Sequence, residues 1–141
     1  MPVDPSYLQQ GKAIRDPIWG YIYVPTEMMN LVDTEDYQRL RDLSQLGHVM
    51  LVYPGARHSR FEHSLGVFHI TKQFLLQLLA SRPPIPLEQD DVKVLLAAAL
   101  LHDLGHYPFS HILEELPGFA AHELRGRRIV EDPNSEVHQA L

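Results

Sequence analysis

Apolar residues recur at helical spacing over most of this chain. Across residues 60 to 80, Phe61, Leu65, Phe68, Leu75, Leu76 and Leu79 fall in steps that share one face, which predicts a long amphipathic helix. The tract Ser81-Arg82-Pro83-Pro84-Ile85-Pro86 cannot continue it, because proline removes the donor and clashes with the preceding turn. A second helix opens with Glu88, Asp90 and Asp91, where the backbone dipole favours negative charge. Residues 92 to 101 are apolar nearly all round apart from Lys93, so this helix is predicted to be central and buried. It ends at His102-Asp103-Leu104-Gly105, with Gly105 suited to a left-handed cap. Upstream, Asp33 or Thr34 can cap a helix with Glu35 and Asp36 in its first turn, Leu40, Leu43 and Leu46 on one face and Gly47 as its stop. Shorter helices are expected over residues 110 to 116 and 121 to 130, and another from Asn134 or Ser135. Residues 1 to 15 are polar and irregular and read as a loosely held N-terminal arm. The stretch from Asp16 to Pro25 alternates weakly between prolines and predicts a short strand or hairpin. The fold class is therefore all-α, one helical domain over residues 16 to 141 with a short N-terminal strand or hairpin.

Composition narrows the chemistry. The 141 residues include no cysteine, which excludes disulfides, thiolate catalysis and cysteine zinc sites. No apolar run reaches a membrane span and the start shows no signal region, so the simplest expectation is a soluble cytoplasmic protein. A net charge of -6 gives no indication of a nucleic-acid-binding surface, although a local basic pocket is compatible with it. Nine histidines are many for this length, and their positions carry the argument.

His102 and Asp103 stand at the end of a buried apolar helix, where an ionisable pair is costly unless something compensates it. Unpaired carbonyls there supply the negative end of the helix dipole and favour a cation. With His63 from the other long helix, two imidazoles and a carboxylate make a donor set for a divalent metal with open positions. The alternative is structural: His102 caps the last carbonyls and Asp103 pairs with an arginine.

The segments Tyr53-Pro54-Gly55-Ala56-Arg57-His58-Ser59-Arg60-Phe61-Glu62-His63-Ser64-Leu65-Gly66-Val67 and Leu101-His102-Asp103-Leu104-Gly105-His106-Tyr107-Pro108-Phe109-Ser110-His111 resemble the HD superfamily of metal-dependent phosphohydrolases. More narrowly, they are similar to the branch of deoxynucleoside triphosphate triphosphohydrolases of the bacterial dGTPase and vertebrate dNTPase type. Asp16-Pro17-Ile18-Trp19-Gly20 and the run from Gln38 to Gly47 match that branch as well. The resemblance implies an HD-domain bundle that holds one divalent ion (manganese, iron, nickel, zinc or magnesium) through His63, His102 and Asp103. It places His106, His111 and His122 along the phosphate, with Glu114 orienting His122 or holding it protonated. Arg60 would bind a phosphate and polarise the bond that breaks, and Gln45 and Leu46 would touch the sugar. His48, His58, His69 and His138 match no required position.

The resemblance also implies a fourth ligand, an aspartate on a helix downstream of the His122 match. The only aspartate after His122 is Asp132, beside Pro133. The HD domain is thus expected to be incomplete at its C-terminus, weak or inactive as an enzyme on its own, and left with an apolar surface that invites a homo-oligomer. The expected function is metal-dependent hydrolysis of a nucleotide, foremost a deoxynucleoside triphosphate. The rivals are hydrolysis of another phosphomonoester or signalling nucleotide, and a non-catalytic module that binds nucleotide or metal. A metalloprotease is disfavoured, since no glutamate follows His102 and Gly105 interrupts the helix before His106.

Overall fold

The computed structural model describes residues 3–83 and 85–141, without the side chains of Ser110 and His111. Two strands, β1 (Lys12–Asp16) and β2 (Gly20–Val24), form an antiparallel hairpin that pairs Lys12 with Val24 and Asp16 with Gly20. Its turn is held by Asp16, whose Oδ1 accepts from the amides of Ile18 (2.8 Å) and Trp19 (2.9 Å). Ile22 and Val24 point inward and are fully buried, while Tyr21 and Tyr23 face out, as strand alternation requires. Helices follow: α1 (Thr26–Val32), α2 (Glu35–Gln38), α3 (Arg60–Leu79), α4 (Gln89–Leu101), α5 (His122–Glu131) and α6 (Glu136–Ala140). The architecture is all-α apart from the hairpin. Among the described residues no helix is long and apolar enough to cross a membrane.

The two long helices form as their periodicity predicts. α3 begins with a capping box in which Ser59 Oγ accepts from the Glu62 amide (3.3 Å) and Glu62 Oε2 accepts from the Ser59 amide (2.6 Å). It buries Phe61, Leu65, Phe68 and Leu75 against Val92, Leu96 and Leu100 of α4. This pairing brings the start of α3 and the end of α4 together, and with them His63 and His102.

Several expectations are corrected. Of the expected N-terminal arm, residues 3 to 15 lie within the described residues and are not loose: Pro5–Gln9 form a 3-10 turn capped by Asp4, and Leu8 is 1% exposed in the core. β1 also begins inside that segment. The helix expected to run on to Leu46 stops early. α2 passes into a 3-10 turn at Arg39–Asp42, and residues 43 to 45 are drawn out to pair with the approach to α3. There the Arg60 amide donates to the Leu43 carbonyl (2.8 Å) and the Gln45 amide to the His58 carbonyl (3.1 Å). Tertiary hydrogen bonds thus outweigh local helical preference. α1 was not foreseen; confined between Pro25 and Asp33, its apolar run is too short to show a period. The segment 110 to 116 is a 3-10 helix, Ser110–Glu115.

Gly105 is not left-handed. The positive φ falls on Phe109 (67°) instead. Gly105 is needed for space, since a Cβ there would lie 1.9 Å from the His122 carbonyl oxygen and 2.4 Å from the Gly126 amide nitrogen. α5 therefore crosses the end of α4 backbone to backbone.

One charged side chain is buried under the hairpin. Lys72 is 4% exposed, donates to the Tyr23 carbonyl and stands 5.5 Å from the Phe68 ring centroid. Burial pushes its pKa down from 10.5 to about 8. Below that value the ammonium is charged in both folded and unfolded states, and its burial cost is present in full. Between about 8 and 10.5 the unfolded chain still holds the proton that the folded protein has lost, so stability rises with pH. Lys72→Met is expected to flatten that rise and to gain about 3 kcal/mol at pH 7, at 1.36 kcal/mol per pH unit of displacement. Urea unfolding of both proteins from pH 6 to 10 checks this; parallel curves would contradict it.

Candidate functional site: two histidine clusters on one carboxylate

α4 ends by exposing its last carbonyls toward His102, and the turn that follows carries Asp103 and His106. His102 Nδ1 lies 2.9 Å from the Ala99 carbonyl, which can only accept, so Nδ1 carries the proton and Nε2 presents a lone pair. That Nε2 stands 3.3 Å from His63 Nε2 and 3.5 Å from Asp103 Oδ1; His63 Nε2 is 3.9 Å from Asp103 Oδ2. Atoms bound to one ion at about 2.1 Å stand roughly 3.0–3.4 Å apart, so these separations suit a shared metal with little movement. The rings are steeply inclined, at 66°, so their lone pairs can converge. A lone pair facing a carboxylate oxygen is unfavourable unless a proton or cation lies between them. The donors present therefore fit the implied metal.

Asp103 joins this cluster to a second one. Its Oδ2 accepts from Arg60 Nη1 at 2.7 Å, and its Oδ1 is 3.3 Å from His106 Nε2. Burial alone would raise the carboxyl pKa. The His106 hydrogen bond and the charges of His102, Arg60 and His106 outweigh burial and hold it well below the usual carboxylate range. Burial also lowers the pKa values of His63 and His106, against the opposing pull of Asp103. His106 is 2% exposed and stacks on His122, with centroids 3.8 Å apart and planes 14° apart. Glu114 Oε1 is 3.0 Å from His122 Nδ1 and 3.9 Å from His106 Nδ1, and Glu123 Oε1 is 3.3 Å from His122 Nε2.

His106, Glu114 and His122 also bring ligand-type atoms close together. Ring orientation separates the two sets. Lone pairs lie in the imidazole plane, so two stacked rings aim theirs nearly parallel and cannot share an ion without turning. The first set fits a metal; the second fits proton handling.

The structure does not place Arg60 as expected. At 3% exposed and bonded to Asp103, it offers no open face to a phosphate. Glu62, two residues on, is taken by the capping box. Gln45 and Leu46 lie beside the approach to α3, Gln45 through its amide bond to His58 and Leu46 half-exposed. The side chain of His111 is outside the described residues. Glu123, Arg39 and Arg125 were not singled out by the sequence. Glu123 follows His122 directly, Arg39 lies within the run from Gln38 to Gly47 and Arg125 lies three residues after His122, yet only the three-dimensional packing shows their targets.

With this geometry in view, comparison with known proteins decides the family. Residues 60–136, more than half of the chain, match the HD domain model. The chain belongs to the HD-domain family. It is 43% identical over 111 residues to the deoxynucleoside triphosphate triphosphohydrolase SAMHD1 homolog of Dictyostelium discoideum, covering 79% of this chain and 22% of that one. It is likewise 43% identical over 103 residues to SAMHD1 of Bos taurus, covering 73% and 18%. A phosphohydrolase crystal structure from Bacteroides thetaiotaomicron superimposes with a TM-score of 0.79 at 35% identity, over 92% of this chain and 33% of that one. This HD chain thus spans about a fifth of the length of those curated relatives.

Two outcomes follow from the geometry. Manganese or zinc titrated into the protein should bind at one tight site per chain, and His102→Ala should weaken it by more than the roughly 10–100-fold that loss of an outer-shell partner costs. Binding should also weaken as pH falls and protons compete for the imidazoles. Calorimetry with the variant checks this, and undiminished affinity would refute metal binding there. Arg60→Ala leaves Asp103 without its guanidinium and is expected to destabilise the fold by about 3–5 kcal/mol, measured by denaturant unfolding. A near-neutral result would restore Arg60 as a ligand-facing residue.

Proposed function

We propose that this chain carries the catalytic centre of a metal-dependent phosphohydrolase acting on a nucleotide, with a deoxynucleoside triphosphate as substrate. The observation that carries the reading is the sharing of Asp103 between a metal-type set and a stacked histidine pair. A divalent ion on His63, His102 and Asp103 would supply Lewis-acid charge to a phosphoryl oxygen. Arg60 holds Asp103 in place rather than touching phosphate. His106, fixed by Asp103, and His122, held between Glu114 and Glu123, stand within one stack where a proton can be delivered to a leaving oxygen. The triphosphohydrolase activity for which the Dictyostelium and bovine relatives are named supports a deoxynucleoside triphosphate. Gln45 and Leu46, beside α3, support a sugar contact at the same end of the helix.

The test is a hydrolysis screen with manganese, following inorganic triphosphate and inorganic phosphate separately. Release of triphosphate from deoxynucleotides is expected, and His122→Ala should lower kcat by about 10²–10⁴-fold with metal stoichiometry unchanged. Phosphate release alone would replace the substrate class. Nucleotide or metal binding without turnover would make the chain a binding module and overturn the enzymatic reading.

A further inference from the structure

The turn after α4 turns three successive carbonyls to one side, and two arginines from distant segments receive them. Arg39 Nη2 donates to the Leu104 carbonyl (2.6 Å) and its Nη1 to that of His106 (2.9 Å). Arg125 Nη1 donates to the carbonyls of Gly105 and His106, both at 3.1 Å. The Arg125 guanidinium also lies 4.8 Å from the Tyr107 ring centroid. Burial, then the charge of Arg125, depresses the pKa of Arg39, so two like charges are held together at this turn. A helix end can satisfy its carbonyls with water or a glycine motif at no such electrostatic cost. The arginines must therefore do something that simpler caps do not.

We infer that Arg39 and Arg125 are positioning residues, which lock the 104–107 turn to α5 and so set the stack of His106 on His122. Arg125 sits three residues after His122, on the same helical face, and reaches the carbonyl of His106 itself. It thereby ties both histidines to one guanidinium. The Gly105–Gly126 approach lets α5 come close enough for that bond, since a Cβ on Gly105 would overlap the α5 backbone. Lysine cannot replace Arg39, whose Nη1 and Nη2 each reach a different carbonyl, because a single ammonium lacks that planar fork; Arg125 reaches its two carbonyls through Nη1 alone.

The inference rests on the proton-handling role of the stack, and its test separates the two claims. In NMR spectra of the metal-free protein, stacked imidazoles shift each other's ring C–H signals upfield. Arg125→Ala is expected to lose those shifts and to lower kcat about 10–100-fold with KM unchanged, as small positional errors do. Arg39→Lys, which keeps the charge and loses the fork, should lose the shifts and lower kcat as well. Should Arg125→Ala fail to fold, Gly126→Ala decides: its Cβ would press on Gly105, 3.3 Å away at nitrogen and 3.6 Å at Cα, and should give a smaller change in both readouts. Unchanged shifts and kcat in the folded Arg125→Ala variant, or wild-type values in Arg39→Lys, would overturn the inference. If the wild-type chain hydrolyses no phosphorylated compound, the functional reading falls and the NMR shifts alone judge the lock.

Discussion

Everything at this end of the molecule is organised by one buried carboxylate. Asp103 terminates an apolar helix, in a place where an unpaired anion would cost several kcal/mol. Arg60 takes one of its oxygens, and His102 and His106 approach the other. The demand reaches back along the chain. Ser59 and Glu62 cap α3 at the position that puts Arg60 and His63 one turn apart on facing ground. Glu62 is consumed in that cap, which leaves Arg60 to Asp103. The charged residues of the motif are therefore interdependent, and none of them can change without exposing another.

What the sequence made legible was what repeats or what is spelled out in a motif. α3 and α4 carry long apolar periods and were placed within about a residue at their ends. His63, His102 and Asp103 converge as the motif implied. The short elements were not legible, for physical reasons. α1 offers too few residues to define a period. Leu43 and Gln45 give up helical geometry for hydrogen bonds to His58 and Arg60 that no local pattern encodes. Leu8 has no periodic neighbours, and its burial follows from β2 and α3, against both of which the Pro5–Gln9 turn packs. Arg60 shows the same limit for function: an arginine beside a phosphate motif reads as a ligand, and only its burial reveals that it serves the aspartate.

Ring orientation divides labour that composition cannot. Two sets of histidine and carboxylate lie side by side, and by residue type either could hold an ion. His63 lies in the first turn of α3 and His102 just past the end of α4, where the two antiparallel helices lie side by side, and their rings approach at a steep angle. His106 and His122 belong to a turn and a helix laid flat against each other at Gly105, so their rings stack. Backbone crossing geometry thus decides which imidazoles can aim their lone pairs at one point and which lie parallel.

For a chain of net charge -6, the nucleotide proposed as substrate poses an electrostatic conflict, and α4 shows how distance eases it. Its acidic first turn, with Asp90 and Asp91, stands at one end, and His102 begins the site at the other. Thirteen residues at 1.5 Å each separate them by about 20 Å. That exceeds the roughly 8 Å over which salt screens exposed charges. Arg39, Arg60 and Arg125 meanwhile cluster at the His102 end, where backbone carbonyls and Asp103 hold them close. Close to the histidines these cations face Asp103, Glu114 and Glu123, so the local field is a balance of near charges of both signs rather than the work of the distant surface acids. Net charge describes how the whole protein behaves in solution; the pairing of arginines with carbonyls and carboxylates beyond the end of α4 sets the field at that site.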